Sequence, residues 1–197
     1  GFRHAYLYDY EGNLIAQLTK GEWEVSALAG VDEEGEWVYL YGKKDTAIDQ
    51  HVYRVKFDGK GFEKVSGASG WYRWNMAPGS KHTIEVFSDA KTPPQVILRE
   101  ANGKEVRVLE ENKIKAFADY NMVHPEFLKV KTSDGLELNA YMIKPADFDP
   151  NKKYPVIVYG YPNAGSQTVV NRWGTTRGLW HRMMTEKGFI VFSLDNR

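Results

Sequence analysis

The stretch His51-Val52-Tyr53-Arg54-Val55-Lys56-Phe57-Asp58-Gly59-Lys60-Gly61-Phe62-Glu63-Lys64-Val65 alternates in character, breaks at Asp58-Gly59-Lys60-Gly61, and then alternates again. A period of two sends successive side chains to opposite faces of a strand, and an Asp-Gly reversal suits a tight turn. The stretch therefore reads as a β-hairpin. The same figure stands on either side of it. His4 to Tyr8 leads through Glu11-Gly12-Asn13 into Leu14 to Leu18, and Gln95 to Arg99 leads through Ala101-Asn102-Gly103-Lys104 into Glu105 to Leu109. The three copies begin at intervals of 47 and 44 residues. Between them lies a second kind of hairpin, once as Val25 to Val31 with Trp37 to Tyr41 and again as Trp71 to Met76 with Thr83 to Phe87. Four strands in a unit of about 45 residues are the mark of a β-propeller blade. A sandwich of meandering hairpins would also alternate, but without a fixed repeat. Two and a half blades cannot close a ring, so this reading expects further blades before Gly1.

The period changes after Glu111. Asn112 to Tyr120 is short and mixed, with some helical character, as a linker would be. Glu126 to Lys131 and Leu136 to Ile143 flank Ser133-Asp134-Gly135 as one more hairpin, and a polar loop with Pro150 follows. Lys153-Tyr154-Pro155 then opens the apolar run Val156-Ile157-Val158-Tyr159-Gly160-Tyr161. Unbroken apolarity predicts a strand covered on both faces. Asn171 to Lys187 carries Trp173, Leu179, Trp180, Met183 and Met184, which predicts a helix with an apolar stripe in its second half. Gly188 ends it, and Phe189 to Leu194 predicts a second buried strand. Strand, helix and strand begin a parallel α/β sheet. The expected organisation is residues 1–111 as the last blades of an all-β propeller, 112–125 as linker, and 126–197 as the start of an α/β domain.

Composition narrows the function classes. Lys+Arg and Asp+Glu balance at 26 each, which gives no basic field for nucleic acid. No apolar run approaches the roughly 18 residues of a membrane-spanning helix. With no cysteine, the chain has no disulfide, thiol nucleophile or cysteine-ligated zinc. Aromatics at 14% favour β-structure.

No complete catalytic set is visible. The serine elbow Gly-x-Ser-x-Gly is absent, and Gly67-Ala68-Ser69-Gly70-Trp71 lacks its final glycine and falls between propeller strands. His4, His51 and His82 lie in the repeats, where packing or capping roles are expected. His124 precedes Pro125 in the linker, and His181 lies on the predicted helix. No histidine pair has the spacing of a zinc site, and neither a metal nor a cofactor is expected. Tyr161 stands apart. It ends the first buried strand, where open α/β sheets bind ligands, and a phenol there is either a rim residue or a hydrogen-bond donor to an oxyanion. The turn formers Pro162 to Gln167 suit a loop lining a site.

Several segments together carry a resemblance. Gly1-Phe2-Arg3-His4, Thr19-Lys20-Gly21-Glu22-Trp23-Glu24-Val25, Phe87-Ser88 with Pro93-Pro94, Lys153-Tyr154-Pro155, Tyr161, Gln167 and Asp195-Asn196-Arg197 occur in an order and spacing similar to the dipeptidyl peptidase IV branch of the prolyl oligopeptidase family. The resemblance spans essentially the whole chain. It implies a β-propeller followed by an α/β-hydrolase (peptidase) domain beginning within 126–197, and a serine exopeptidase releasing Xaa-Pro dipeptides, or tripeptides in some members. The family's oxyanion tyrosine lies six residues after the proline of Lys-Tyr-Pro, and here that position is Tyr161. The resemblance places the Ser, Asp and His triad after Arg197 and the glutamates that grip the substrate's amino terminus before Gly1. The 197 residues alone are therefore expected to be inactive, and no substrate-binding residue is assigned within them. It also implies a homodimeric parent, a peptide substrate with proline near its N-terminus, and a periplasmic or extracellular location. One departure stands out: Pro162-Asn163-Ala164 follows the tyrosine where relatives carry a small residue, Gly and Pro. Proline after Tyr161 biases that tyrosine's backbone toward an extended conformation. Two other readings stay open, another hydrolase of the clan (endopeptidase, acylaminoacyl peptidase or esterase) and a non-catalytic propeller scaffold.

Overall fold

A computed structural model of the chain describes every residue except 162, 164 and 197. It divides into two units, Gly1–Asn112 and Lys113–Arg197.

The first unit is all β. A hairpin of β1 (Tyr6–Tyr8) and β2 (Leu14–Gln17) precedes β3 (Val25–Asp32), β4 (Trp37–Gly42), β5 (His51–Lys56) and β6 (Glu63–Lys64), which form one four-stranded antiparallel sheet in chain order. β7 (Trp71–Met76), β8 (His82–Ser88), β9 (Gln95–Glu100) and β10 (Glu105–Glu110) form a second sheet of the same order. These are the blades that the repeat predicts, each built from a hairpin of the second kind followed by one of the first.

Core packing follows the period of two. Val38 and Leu40 of β4 face Leu18, Trp23 and Val55, whereas Tyr39 and Tyr41 face Tyr72 and Trp74 of the next blade. The sheet β3–β6 is thus covered on both sides, which is why β4 is apolar throughout and β5 buries its first three residues and Val55. The blades are also joined by hydrogen bonds: the Tyr41 hydroxyl donates to the Trp74 carbonyl (2.9 Å) and accepts the Trp74 N–H (2.8 Å). The hairpin turns repeat as well. Gly59 and Gly103 both have positive φ, and a Cβ on either would press on a backbone carbonyl of the preceding hairpin segment, that of Gln17 and of Val65. Glycine is required there by the turn and by close approach together.

The second unit opens with a 3-10 turn at Lys115–Asp119, within the segment where helical character is expected. A mixed sheet follows, built from β11 (Glu126–Lys131), β12 (Glu137–Ile143), β13 (Val156–Tyr159) and β14 (Ile190–Leu194), with helix α1 (Thr175–Glu186) between β13 and β14. The strand order is β11-β12-β14-β13, with β13 and β14 parallel and the other pairs antiparallel.

Two expectations need correcting. The first apolar strand is not covered on both faces among the described residues, because β13 sits at the sheet edge with Val156 and Val158 exposed. It also stops at Tyr159, so Gly160 and Tyr161 lie beyond it. Among the described residues the apolar stripe is only partly buried: Trp173, just before the helix, is buried and Met184 half-buried. Gly178, His181, Arg182 and Thr185 face inward, while Leu179, Trp180 and Met183 are exposed. The physical reason lies in the opposing surface: Tyr141 of β12 and Tyr159 of β13 bring rings with polar tips, which His181 meets at 6.5 and 5.2 Å between centroids.

Candidate functional site

β13 and β14 pair in register from Val156↔Ile190 to Tyr159↔Ser193, so their carboxyl ends finish side by side. Side chains emerging beyond paired parallel ends share one crevice, the usual ligand position in open α/β sheets. A cleft of about 410 Å³ opens there. Leu138 and Leu194 give it an apolar lining, and Gly160, Tyr161, Thr168 and Asp195 line it as well. Tyr161 is 57% exposed at this cleft. Tyr161 lies two residues past the last paired position of β13, not at the end of the strand as the sequence reading expected. The expectations attached to Pro162, Ala164 and Arg197 lie outside the described residues.

Sequence reasoning missed the network that closes the loop after Tyr161. The Asp195 N–H donates to the Asn139 carbonyl (3.0 Å), which extends the β12–β14 pairing by one residue. Its Oδ1 accepts from the Thr168 N–H (2.7 Å), the Thr168 hydroxyl (3.1 Å) and the Val169 N–H (2.9 Å). Thr168 Oγ1 also lies 3.0 Å from Oγ of Ser193, a residue with no exposed surface. Gln167 Nε2 donates to the Val169 carbonyl (3.0 Å), and Asn196 Nδ2 to the Asn163 carbonyl (3.3 Å). Asp195 entered the sequence reading only through the resemblance, and Gln167 through it and through the loop of turn formers. The available signal was polar residues, Ser193 and Asp195, at the end of an otherwise apolar strand.

Beneath the sheet, Arg177 donates to the Tyr159 hydroxyl and stacks over its ring, and Nδ1 of His181 lies 3.4 Å from the Tyr141 hydroxyl. Burial lowers the pKa of His181, and the positive charges of Arg177 and Arg182 lower it further. Burial likewise raises that of Tyr141. These groups hold α1 against the sheet and do not line the cleft.

Of the other candidates, His4, His51 and Ser69 are held by hydrogen bonds within the first unit. His4 bonds the Thr19 hydroxyl (3.1 Å) and the Gly21 carbonyl (3.0 Å). His51, fully buried, bonds Ser66 Oγ (2.9 Å) and stacks on Tyr72. His82 begins β8 on the surface, and His124 lies just before β11. Ser69, in the imperfect serine motif, donates to Asp49 Oδ2 (2.8 Å) between β6 and β7. Among the described residues no group of three or more His, Asp or Glu side chains is placed to hold a metal. No helix among them is long and apolar enough to cross a membrane.

Comparison with known proteins bears on the whole arrangement. Residues 1–94 match the family model described as the dipeptidyl peptidase IV (DPP IV) N-terminal region. The crystal structure of Porphyromonas gingivalis dipeptidyl peptidase 4 superposes on all of this chain with a TM-score of 0.92 and 34% sequence identity, over 28% of that chain. The chain belongs to the dipeptidyl peptidase IV branch. Within that branch, the "Probable dipeptidyl-aminopeptidase B" of Arthroderma gypseum is 31% identical over 204 residues, 100% of this chain and 22% of the relative. The "Dipeptidyl peptidase 4" of Arthroderma otae is 29% identical over 203 residues, 26% of the relative. The chain therefore spans about a quarter of the length of the relatives it matches.

Proposed function

We propose that this chain is the junction region of a serine exopeptidase that releases Xaa-Pro dipeptides or tripeptides from peptide N-termini. In this reading 1–111 are late propeller blades, 112–125 a linker, and 126–197 the beginning of an α/β-hydrolase domain whose parallel sheet starts with β13 and β14. A serine supplied by another part of the full-length protein attacks the carbonyl after proline. The tetrahedral oxyanion takes a hydrogen bond from the Tyr161 hydroxyl, and water then hydrolyses the acyl-enzyme. The observation that carries the reading is Tyr161 itself, a phenol at the cleft where β13 and β14 end, six residues after Pro155. The triad and the groups that hold the substrate's amino terminus lie outside these 197 residues, so the polypeptide alone is inactive. The full-length protein acts as a homodimer outside the cytoplasm.

The test is Tyr161→Phe in the full-length protein, assayed on an Xaa-Pro anilide. Loss of one oxyanion donor lowers kcat by roughly 10²–10³-fold. An unchanged kcat removes Tyr161 from the mechanism.

A further inference from the structure

Tyr159 and Thr168, which flank the segment carrying Tyr161, both rest on β14. Tyr159 pairs with Ser193, and Thr168 meets the same residue through its hydroxyl, 3.0 Å from Ser193 Oγ. A loop whose ends are held together is fixed in position by its closure and not only by its tip. The closing group here is one carboxylate oxygen. Asp195 Oδ1 takes three hydrogen bonds from two consecutive residues, Thr168 and Val169, all between 2.7 and 3.1 Å. Charge-assisted bonds of this kind are stronger than neutral ones and directional. Asp195 is itself fixed by its own N–H on Asn139, so the clamp is anchored in the sheet. Val169, with no exposed surface, packs the returning foot into the core.

Tyr161 is the second residue of this loop and lines the same cleft as Thr168 and Asp195. We infer that Asp195 is a positioning residue for Tyr161. By clamping Thr168 and Val169 it closes the loop that carries the phenol and so sets where the hydroxyl stands at the cleft. The inference rests on the oxyanion role of Tyr161 proposed above. It adds that the geometry of this donor depends on a side chain 34 positions further along the chain, whose Oδ1 bonds the loop's returning foot. Small misplacement of a group that stabilises a transition state is costly, on the order of 10²-fold for about 1 Å.

The experiment is a double-mutant cycle in the full-length protein, with kcat and KM measured separately on an Xaa-Pro anilide. Asp195→Ala lowers kcat by about 10–100-fold with KM changed by less than about threefold, and Asp195→Asn, which keeps one acceptor oxygen, recovers part of the loss. Thr168→Val deletes only the hydroxyl and leaves both backbone N–H groups on the carboxylate. It lowers kcat by about 3–10-fold, and it carries the test by itself if Asp195→Ala does not fold. In the Tyr161→Phe background both changes lose most of their effect, because the donor they position is gone. If the losses multiply across the cycle, or if Asp195→Ala and Thr168→Val leave kcat intact while Tyr161→Phe lowers it, the positioning role is wrong and the oxyanion role stands. If Tyr161→Phe itself leaves kcat unchanged, the oxyanion role falls and the positioning role falls with it.

Discussion

At the scale of the residue, the blades show how one buried charge is accommodated. Glu85 on β8 has no exposed surface, yet both carboxylate oxygens are used: Oε2 accepts the Trp74 indole N–H (2.7 Å) and Oε1 the Arg99 Nε–H (2.7 Å). A buried ion pair need not beat a well-packed apolar pair, but removing one partner leaves the other uncompensated. Glu85→Ala strands an indole donor and leaves the Arg99 guanidinium, only 16% exposed, with the Gly103 carbonyl (3.1 Å) and the more distant Glu105 (3.5 Å). The expected cost is about 3–5 kcal/mol in urea denaturation, with Glu85→Gln losing less because it keeps an acceptor for Trp74. Equal losses for the two variants would show that cavity formation, not the missing acceptor, dominates.

Elements are legible in the sequence to the degree that their forces are local. The hairpins follow from alternation and Asp-Gly or Asn-Gly turns, and the blade repeat follows from their spacing. β13 and α1 obey distant partners instead. The strand is apolar throughout, but Val156 and Val158 have nothing over them among the described residues. The helix turns a polar and small face to the sheet because two tyrosine rings await it there. That choice has a consequence for pH. His181 on α1 and His51 on β5 both have pKa values lowered from 6.5, burial being the leading cause in each. For His51 the charge of Lys64 adds to the lowering, while Asp45 and Asp49 oppose it. Above pH 6.5 both rings are neutral whether folded or unfolded, so neither makes stability vary with pH. As pH falls below 6.5 the unfolded chain takes up protons first. Stability then declines, by at most about 1.4 kcal/mol per pH unit for each ring, until the folded pKa is reached. The urea midpoint should therefore drop between pH 7.5 and 5.5, and His181→Gln should flatten the drop. A midpoint that rises over that interval would contradict the burial argument. Carboxylates such as Asp45, whose pKa is lowered, contribute their own loss only at more acid pH, approaching 3.8 and below.

For the whole molecule, the proposed exopeptidase reaction needs groups that these 197 residues do not supply. A cleft with one exposed phenol, and no Gly-x-Ser-x-Gly anywhere in the chain, holds the proposed oxyanion donor without a nucleophile. The purified 197-residue polypeptide should show no release of anilide from a glycyl-prolyl substrate above the buffer rate, whereas the full-length protein should turn it over. Detectable hydrolysis by the polypeptide would mean that the nucleophile lies within it.

The sequence by itself determined the four-stranded antiparallel blades, the change of period after Glu111, and the one tyrosine worth testing. Each depends on a repeat, a turn or a spacing written within a few tens of consecutive residues. Only the tertiary structure decided which face of α1 turns inward, that β13 borders the sheet formed by the described residues, and that Asp195 bonds Thr168 and Val169 after Tyr161. Those outcomes depend on partners brought together from separate strands: rings on β12 and β13 for the helix, and a carboxylate beyond β14 for the loop. A pattern of apolar and polar residues records whether a side chain prefers burial, but not which side chain will be waiting for it.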